Sequence, residues 1–456
     1  MFTATKPKDK LKHMLRFSKI EWISISLVVL LHLFFFVYAL NHHNIYLADD
    51  SQEYLWQAYN LKHHDSWYGS DYNLPYNPYL QTRRPPLYGI FIFIVKSIYN
   101  SDYFVCFLQN ILSIISLITG CLIAKRLKAK TNWLILPALL LFFPTQLIYA
   151  NRIMSDVLFQ FIIIMSVWFF TKYDESRKSK FLFLVSLFIA LSTLTKPVMY
   201  LFAPLFIAFF VWLYLKNKIS VKRIGISFLP FITGLLLSFY NLNQTGYFHF
   251  SSGNNMLVYH YYSTSARFSG GETDFAKSDS VTALAKSNST NLKEFSENMS
   301  HSFYQLMKEN PVRFTMLQFN GMIQFFIDHG RWDLESFFKT PVYNQTKGWK
   351  TAWSEKGFQG LTDYFSSFGI LKLSYLVITL LINIGITFLF FKFLVSKKYD
   401  KSLRLFLFLI TVYIVTVTGF VGGSRYRMAL YPFLICSVLV FISKHKVGHS
   451  FKVNQK

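Results

Sequence analysis

The chain has 456 residues, 52% of them apolar and 19% aromatic, with 50 Phe and only 15% charged residues. Soluble domains carry about 25% charged residues, so this composition excludes a soluble globular protein, along with a disordered chain, a collagen-like repeat and a small disulfide scaffold. The net charge of +24 would suggest a nucleic-acid partner on a soluble protein, but its placement along the chain gives it a different meaning, and no nucleic-acid partner is expected.

Residues 22–40 form a run of nineteen without a formal charge, close to the twenty apolar residues that cross a bilayer. Nine further runs follow: 103–124, 132–150, 156–171, 181–195, 198–215, 224–240, 368–391, 405–421 and 427–443. The basic residues sit between them in a pattern. Segments 1–19, 125–130, 172–180, 216–223, 397–404 and 444–456 together hold 26 basic and 4 acidic residues, which is +22 of the +24. Segment 41–86 has 3 basic and 5 acidic residues, and 241–367 has 11 of each. Cytoplasmic loops carry the Lys/Arg excess, so both termini read as cytoplasmic.

The expected fold is an all-α polytopic membrane protein with about ten transmembrane helices. Its expected parts are a transmembrane module over 1–240 with a first outer loop at 41–102, an extracytoplasmic loop domain over 241–367, and transmembrane helices with a basic tail over 368–456. The apolar run Leu87–Ile98 is short for a crossing and reads as a juxtamembrane helix. Lys196-Pro197 divides the long run 181–215, because proline lacks a backbone N–H and breaks helices. Cys106, Cys121 and Cys436 fall in or beside spans, so neither a disulfide framework nor a zinc pattern is expected.

The polar residues with chemical potential fall on the outer side. The first loop opens with Asp49-Asp50-Ser51-Gln52-Glu53-Tyr54, a second turn reads Asn151-Arg152-Ile153-Met154-Ser155-Asp156, the third is Lys196-Pro197, and the last is Gly422-Gly423-Ser424-Arg425-Tyr426-Arg427. A carboxylate can take the proton of an attacking hydroxyl, and Arg or Lys can hold a phosphate leaving group. Each feature also has a structural reading. Asp50 with Glu53 three residues on is a helix-capping pattern; Asp156 suits a helix N-terminus; the arginines and Lys196 can reach headgroups by snorkelling. The pairs His42-His43 and His63-His64 are the candidates for a divalent metal, although adjacent histidines do not face the same way on a regular element. The first-loop aromatics Trp56, Tyr59, Trp67, Tyr68, Tyr72, Tyr76 and Tyr79 suit either sugar stacking or the headgroup belt.

The order of these motifs resembles the GT-C glycosyltransferases, and within them the protein O-mannosyltransferase and aminoarabinose-transferase-like enzymes of bacterial membranes. The residues carrying the resemblance are Asp50-Ser51-x-x-Tyr54 with Ala58, then Arg84-Pro85-Pro86-Leu87-Tyr88, Tyr149 to Asp156, Thr195-Lys196-Pro197, and Arg425-Tyr426-Arg427 through Pro432. It covers roughly 20–240 and 405–440 and does not explain 241–367. It implies a transferase in the cell membrane of a bacterium, taking a sugar from a polyprenyl-phosphate donor to a hydroxyl on a glycan, lipid or protein acceptor, with inversion and no required cofactor. Asp50 matches the family's catalytic base; many relatives carry Asp-Glu there, so Asp49 remains the alternative. Asp156 matches a second acidic position. Glu53 and Tyr54 accompany the base, and Arg84, Arg152, Lys196, Arg425 and Arg427 are the candidates for the lipid phosphate. Two other classes share the basic inner loops and polar outer turns. One is a lipid-linked glycan transporter or flippase, which should place polar or broken segments at mid-bilayer. The other is an O-antigen ligase or polymerase, for which Arg267, Arg313, Arg331, His301 and His329 are available.

Overall fold

A computed structural model describes residues 17–127, 129, 132–269, 273–339, 349–366 and 369–442. Among them there are helices and no strand. Six helices are long and apolar enough to cross a membrane: Lys19–His42, Asp102–Arg126, Asp156–Ser176, Val221–Thr245, Ile370–Val395 and Ser424–Ile442. Leu87–Ile98, Ser179–Thr195 and Phe202–Leu215 are shorter apolar helices, and Lys401–Val417 is another of 17 residues.

Local chemistry explains most boundaries. Ser18 and Glu21 start the first long helix with a reciprocal capping box, each side chain accepting from the other's backbone N–H. The helix at 179 ends at Thr195, Lys196 is extended at φ −137° and ψ 133°, and a 3-10 turn covers Pro197–Met199, as expected for a residue held out of the α region by the following proline. Residues 132–150, expected as one span, form two short helices instead, Ile135–Leu140 and Pro144–Ala150. Pro144 at the first position of the second helix has no N–H with which to continue the first. The tail residues from 443 onward lie outside the described residues.

Asp102–Arg126, Asp156–Ser176 and Ser424–Ile442 form the interior of the bundle, while Lys19–His42 and Ile370–Val395 turn much of their apolar surface outward. Gly120 is what lets the interior close. A Cβ there would lie 2.5 Å from the Pro432 carbonyl oxygen, so two central helices approach backbone to backbone.

The connections sort to two ends. At one end the basic connections meet: Lys218 pairs with Asp400 at 2.8 Å, Arg126 pairs with Glu175, Tyr173 donates to the Lys218 carbonyl at 2.6 Å, and Lys125 pairs with Glu21 at 3.0 Å. At the other end lie the first loop and the turns at 151–156, 196 and 422–427. Between them the interior is less apolar than the sequence leads one to expect. His32 contacts Ser113 at 2.9 Å, Gln146 donates to Ser113 at 2.6 Å and to Gln160 at 2.8 Å, and Gln160 donates to the Met428 carbonyl at 2.5 Å. This chain of paired polar groups ties five helices together.

Candidate active site

The helix Ala48–His63 begins the site. Its first-turn work is done by Ser51, whose hydroxyl accepts from the Leu47 N–H at 2.7 Å and donates to the Ile153 carbonyl at 3.0 Å. Asp50 is therefore not consumed as a cap. One Asp50 oxygen is paired with Arg84 Nη2, and the other lies 3.2 Å from Arg425 Nη1. Glu53, a turn further along, takes Arg84 Nε at 2.7 Å and Arg83 Nη1 at 2.5 Å. The segment bearing the two arginines is held against this helix by Gln57, which donates to the Arg84 carbonyl at 3.0 Å.

The turn at 151–156 is fastened alongside. The Ile153 N–H donates to the Ile45 carbonyl at 2.8 Å, and the Tyr54 hydroxyl meets Ser155 Oγ at 3.0 Å with the Arg84 guanidinium 5.3 Å above its ring. Asp156 opens its helix, as a macrodipole reading would have it, but its carboxylate is only 2% exposed and is fully engaged. Lys196 Nζ lies 2.6 Å away and Arg425 Nε 3.4 Å from both oxygens. Arg425 thus bridges the two carboxylates that the sequence placed on different loops.

The position of Arg425 is set from beneath. The Ser424 N–H donates to Asp328 at 2.7 Å and its hydroxyl to Asp333 at 2.6 Å. Asp333 also accepts from Tyr149 at 3.0 Å and Thr145 at 3.1 Å, and the Tyr149 ring carries the Arg425 guanidinium at 5.5 Å. Asp328 and Asp333 belong to the stretch 241–367 and carried no motif by which the sequence could have marked them.

Some of these groups line a cavity of about 670 Å³, with Asp156 and the brace beneath Arg425 behind them. Asp50, Arg83, Arg84, Lys196, Arg425 and Tyr426 line it, as do the apolar Leu201, Tyr413, Ile414 and Val417; Phe248, His249, Phe250, Tyr259 and His260 come from the segment after 245. A ligand with an anionic group and a long apolar part matches such a lining. Burial would raise the Asp50 carboxyl, but Arg84, Arg425 and Arg83 outweigh it and hold it below its ordinary value.

Seven of the sequence candidates converge here: Asp50, Glu53, Tyr54, Arg84, Asp156, Lys196 and Arg425. The side chain of Asp49 lies outside those described. Arg152 and Arg427 turn elsewhere. Arg152, 1% exposed, donates to Ser336 Oγ at 2.9 Å and lies over the rings of Tyr149 and Phe337. Arg427, also 1% exposed, donates to the carbonyls of Phe326 and Asp328. Arg83, Tyr426, His249 and His260 were not named as site residues; of these Arg83, beside Arg84 in an Arg-Arg-Pro-Pro run, and Tyr426, within Arg425-Tyr426-Arg427, had a signal in the sequence. None of the first-loop aromatics other than Tyr54 lines the cavity. Tyr68, Tyr72 and Tyr76 cluster together, and Trp67 packs on Tyr240 at 4.3 Å.

Among the described residues no group of three His, Cys, Asp or Glu side chains is arranged to hold a metal. The four first-loop histidines are engaged separately: His42 with the Tyr38 carbonyl, His43 with Tyr103, His63 with the Tyr59 ring and His64 with the Tyr72 ring. No known protein family matches the chain, and no curated protein matches it.

Proposed function

We propose that this chain is a GT-C type glycosyltransferase of the cell membrane, with about ten crossings, both termini cytoplasmic, and its reaction on the extracytoplasmic face. The observation that carries the reading is Arg425 shared between Asp50 and Asp156 at a cavity lined by both cationic and apolar side chains. Such a cavity suits a polyprenyl-phosphate sugar, whose phosphate needs cations and whose lipid needs an apolar surface.

The pairing of Asp50 suggests how the step begins. A carboxylate held by two guanidinium groups is a weak base. A donor phosphate competes for the same Arg84, Arg425 and Lys196, and by drawing these cations away it leaves Asp50 a stronger acceptor. The acceptor hydroxyl oxygen then attacks the anomeric carbon, its proton passes to Asp50, and the bond from that carbon to the phosphate oxygen breaks with inversion. The departing polyprenyl phosphate keeps the electron pair, and its added charge rests on the cations. The scheme requires no cofactor.

The test is Asp50→Asn in membranes supplied with synthetic polyprenyl-phosphate sugars carrying a labelled sugar. The proposal expects unchanged membrane insertion and loss of label transfer to glycan, lipid or protein. Undiminished transfer would overturn Asp50 as the base. Label crossing the membrane with no new glycosidic bond, in the unsubstituted protein, would overturn the transferase itself in favour of transport.

A further inference from the structure

The stretch 241–367 has balanced charge and reads as lying outside the membrane, yet one of its helices is packed into the bundle. Pro311–Ile327 carries no charged residue after Arg313. Near its middle, Gln318 Nε2 donates to the Thr416 carbonyl at 2.6 Å, at the outer end of Lys401–Val417. Three residues later Gly321 lies against the backbones of Gly419 and Gly422, an approach that no side chain would permit. Towards its C-terminus the Phe326 ring is 5.3 Å from that of Phe391, which belongs to the last turns of Ile370–Val395. The Asp328 carbonyl accepts at 3.2 Å from Asn383, near the middle of that same 26-residue helix. The part of the segment after Gln318, which reaches the middle and far half of a membrane span, lies within that span's depth.

We infer that Pro311–Ile327 is a re-entrant helix that enters the bilayer from the outer side and turns back at Asp328-His329-Gly330, with one face against lipid acyl chains. Val312, Met316, Phe319 and Ile323, spaced as one stripe of a helix, are 72%, 52%, 59% and 55% exposed. The stripe belongs to the same apolar exterior as Val377, Leu381 and Phe388 of the helix that Pro311–Ile327 packs on. Lipid that covers the span therefore covers Phe319 and Ile323, the deeper part of the stripe, as well.

The tip is built for hydrocarbon. A helix leaves its last carbonyls without partners, and in a bilayer these must be satisfied by protein. Arg427 donates to the Phe326 and Asp328 carbonyls, Asn383 donates to the latter, and the Asp328 carboxylate accepts from the Ser424 and Gly330 N–H groups at 2.7 and 3.0 Å. A cation at a helix C-terminus also complements the dipole. This gives Arg427 its role: it caps the re-entrant helix. The inference rests on Ile370–Val395 being a span and is independent of the transferase reading.

The experiment places single cysteines at Phe319 and Ile323 of the full chain, labels them with bimane, and reconstitutes the protein in phosphatidylcholine vesicles brominated on the acyl chains. The native Cys106, Cys121 and Cys436 are buried, and the parent chain gives the background. Leu381→Cys is the lipid-facing reference and Lys293→Cys the exposed aqueous one. Bimane at 319 and 323 should be quenched as strongly as at 381, with loss of the iodide quenching seen at 293. Behaviour like that at 293 would overturn the inference. Protection from both quenchers in a cross-linkable dimer would overturn it too, since a second copy would then cover the face. Water-like behaviour at 381 would overturn the membrane placement and the hairpin together.

Discussion

Arg425 Nη1 stands 3.2 Å from Asp50 Oδ2 across 375 positions of chain. The same guanidinium reaches Asp156 through Nε, so one cation is shared by two carboxylates that would otherwise repel each other, with Arg84 and Lys196 supplying the second charge to each. Any anion that binds to Arg425 changes the surroundings of both.

Shortening this bridge should separate the two contacts. A lysine at 425 keeps the charge but is a single point donor, unable to serve Asp50 and Asp156 at once. Arg425→Lys is expected to keep the fold while weakening donor-lipid binding, with Arg425→Ala also lowering thermal stability. Truncating one partner of a buried ion pair costs about 3–5 kcal/mol, and Lys196 still serving Asp156 should keep the loss at the lower end. Unfolding midpoints in detergent and a binding titration with polyprenyl phosphate check both statements. An alanine variant as stable as the parent would contradict the bridge.

The pH dependence has a definite sign. Burial would raise the Asp50 carboxyl, but Arg84, Arg425 and Arg83 outweigh it and hold its folded value below the ordinary 3.8. The pairing therefore contributes stability that is complete above the ordinary carboxylate range and is lost as pH falls through the depressed folded value. Arg84→Gln removes the strongest of these cations, so the folded value of Asp50 should rise toward the ordinary one and the variant, less stable at neutral pH, should lose less further stability on acidification than the parent. The acid limb of kcat/KM should move to higher pH. Stability scans from neutral to acid pH, run in parallel on the two proteins, read the difference; a larger acid loss in the variant would contradict it.

What could be read in the sequence was what is local. The membrane class, the break at Lys196-Pro197 and the separate helix at Leu87–Ile98 follow from runs, charges and prolines within a few residues of each other. The assignment of individual side chains was not local. Asp50 and Glu53 look like a capping pair until Ser51 is seen taking the backbone contacts and the arginines at 83 and 84 are seen opposite. Arg425 and Arg427 read alike in one short motif, yet positions two apart on a helical turn face different ways; one enters the cavity and the other caps Pro311–Ile327. Asp328 and Asp333 brace Ser424 from a segment whose neutral charge and mixed composition gave no indication that it enters the bundle.

That brace can be weakened without touching the cavity wall. Ser424→Ala removes the hydroxyl that Asp333 accepts but leaves its backbone bond to Asp328 and the donors Tyr149 and Thr145. Losing one hydrogen bond to a charged group costs about 1.5–3 kcal/mol. The expected outcome is a modest fall in unfolding midpoint together with a larger KM for the donor lipid, because Arg425 is held less firmly. Ser424→Thr, which keeps the hydroxyl, should restore the KM. A KM unchanged by Ser424→Ala would make the brace purely structural.

The interior polar chain makes a prediction of a different kind, because its members satisfy one another. Gln146 and Gln160 exchange two hydrogen bonds, of 2.8 and 2.7 Å. Gln146→Leu leaves Gln160 Oε1 without a donor, while its Nε2 keeps the Met428 carbonyl, and removes a donor from Ser113, so it should cost about 1–3 kcal/mol, the penalty for an unsatisfied buried group. Adding Gln160→Met removes the unpartnered oxygen and replaces the amide with a flexible apolar side chain. The Met428 carbonyl then loses its donor, but the other half of the penalty disappears. The double variant should therefore be less destabilised than the sum of the two single variants, with a coupling of about 0.5–3 kcal/mol. A thermal double-mutant cycle in detergent measures this directly. Strict additivity would mean that the two amides do not share their bonds in the bilayer, and that the helices they connect are held by packing alone.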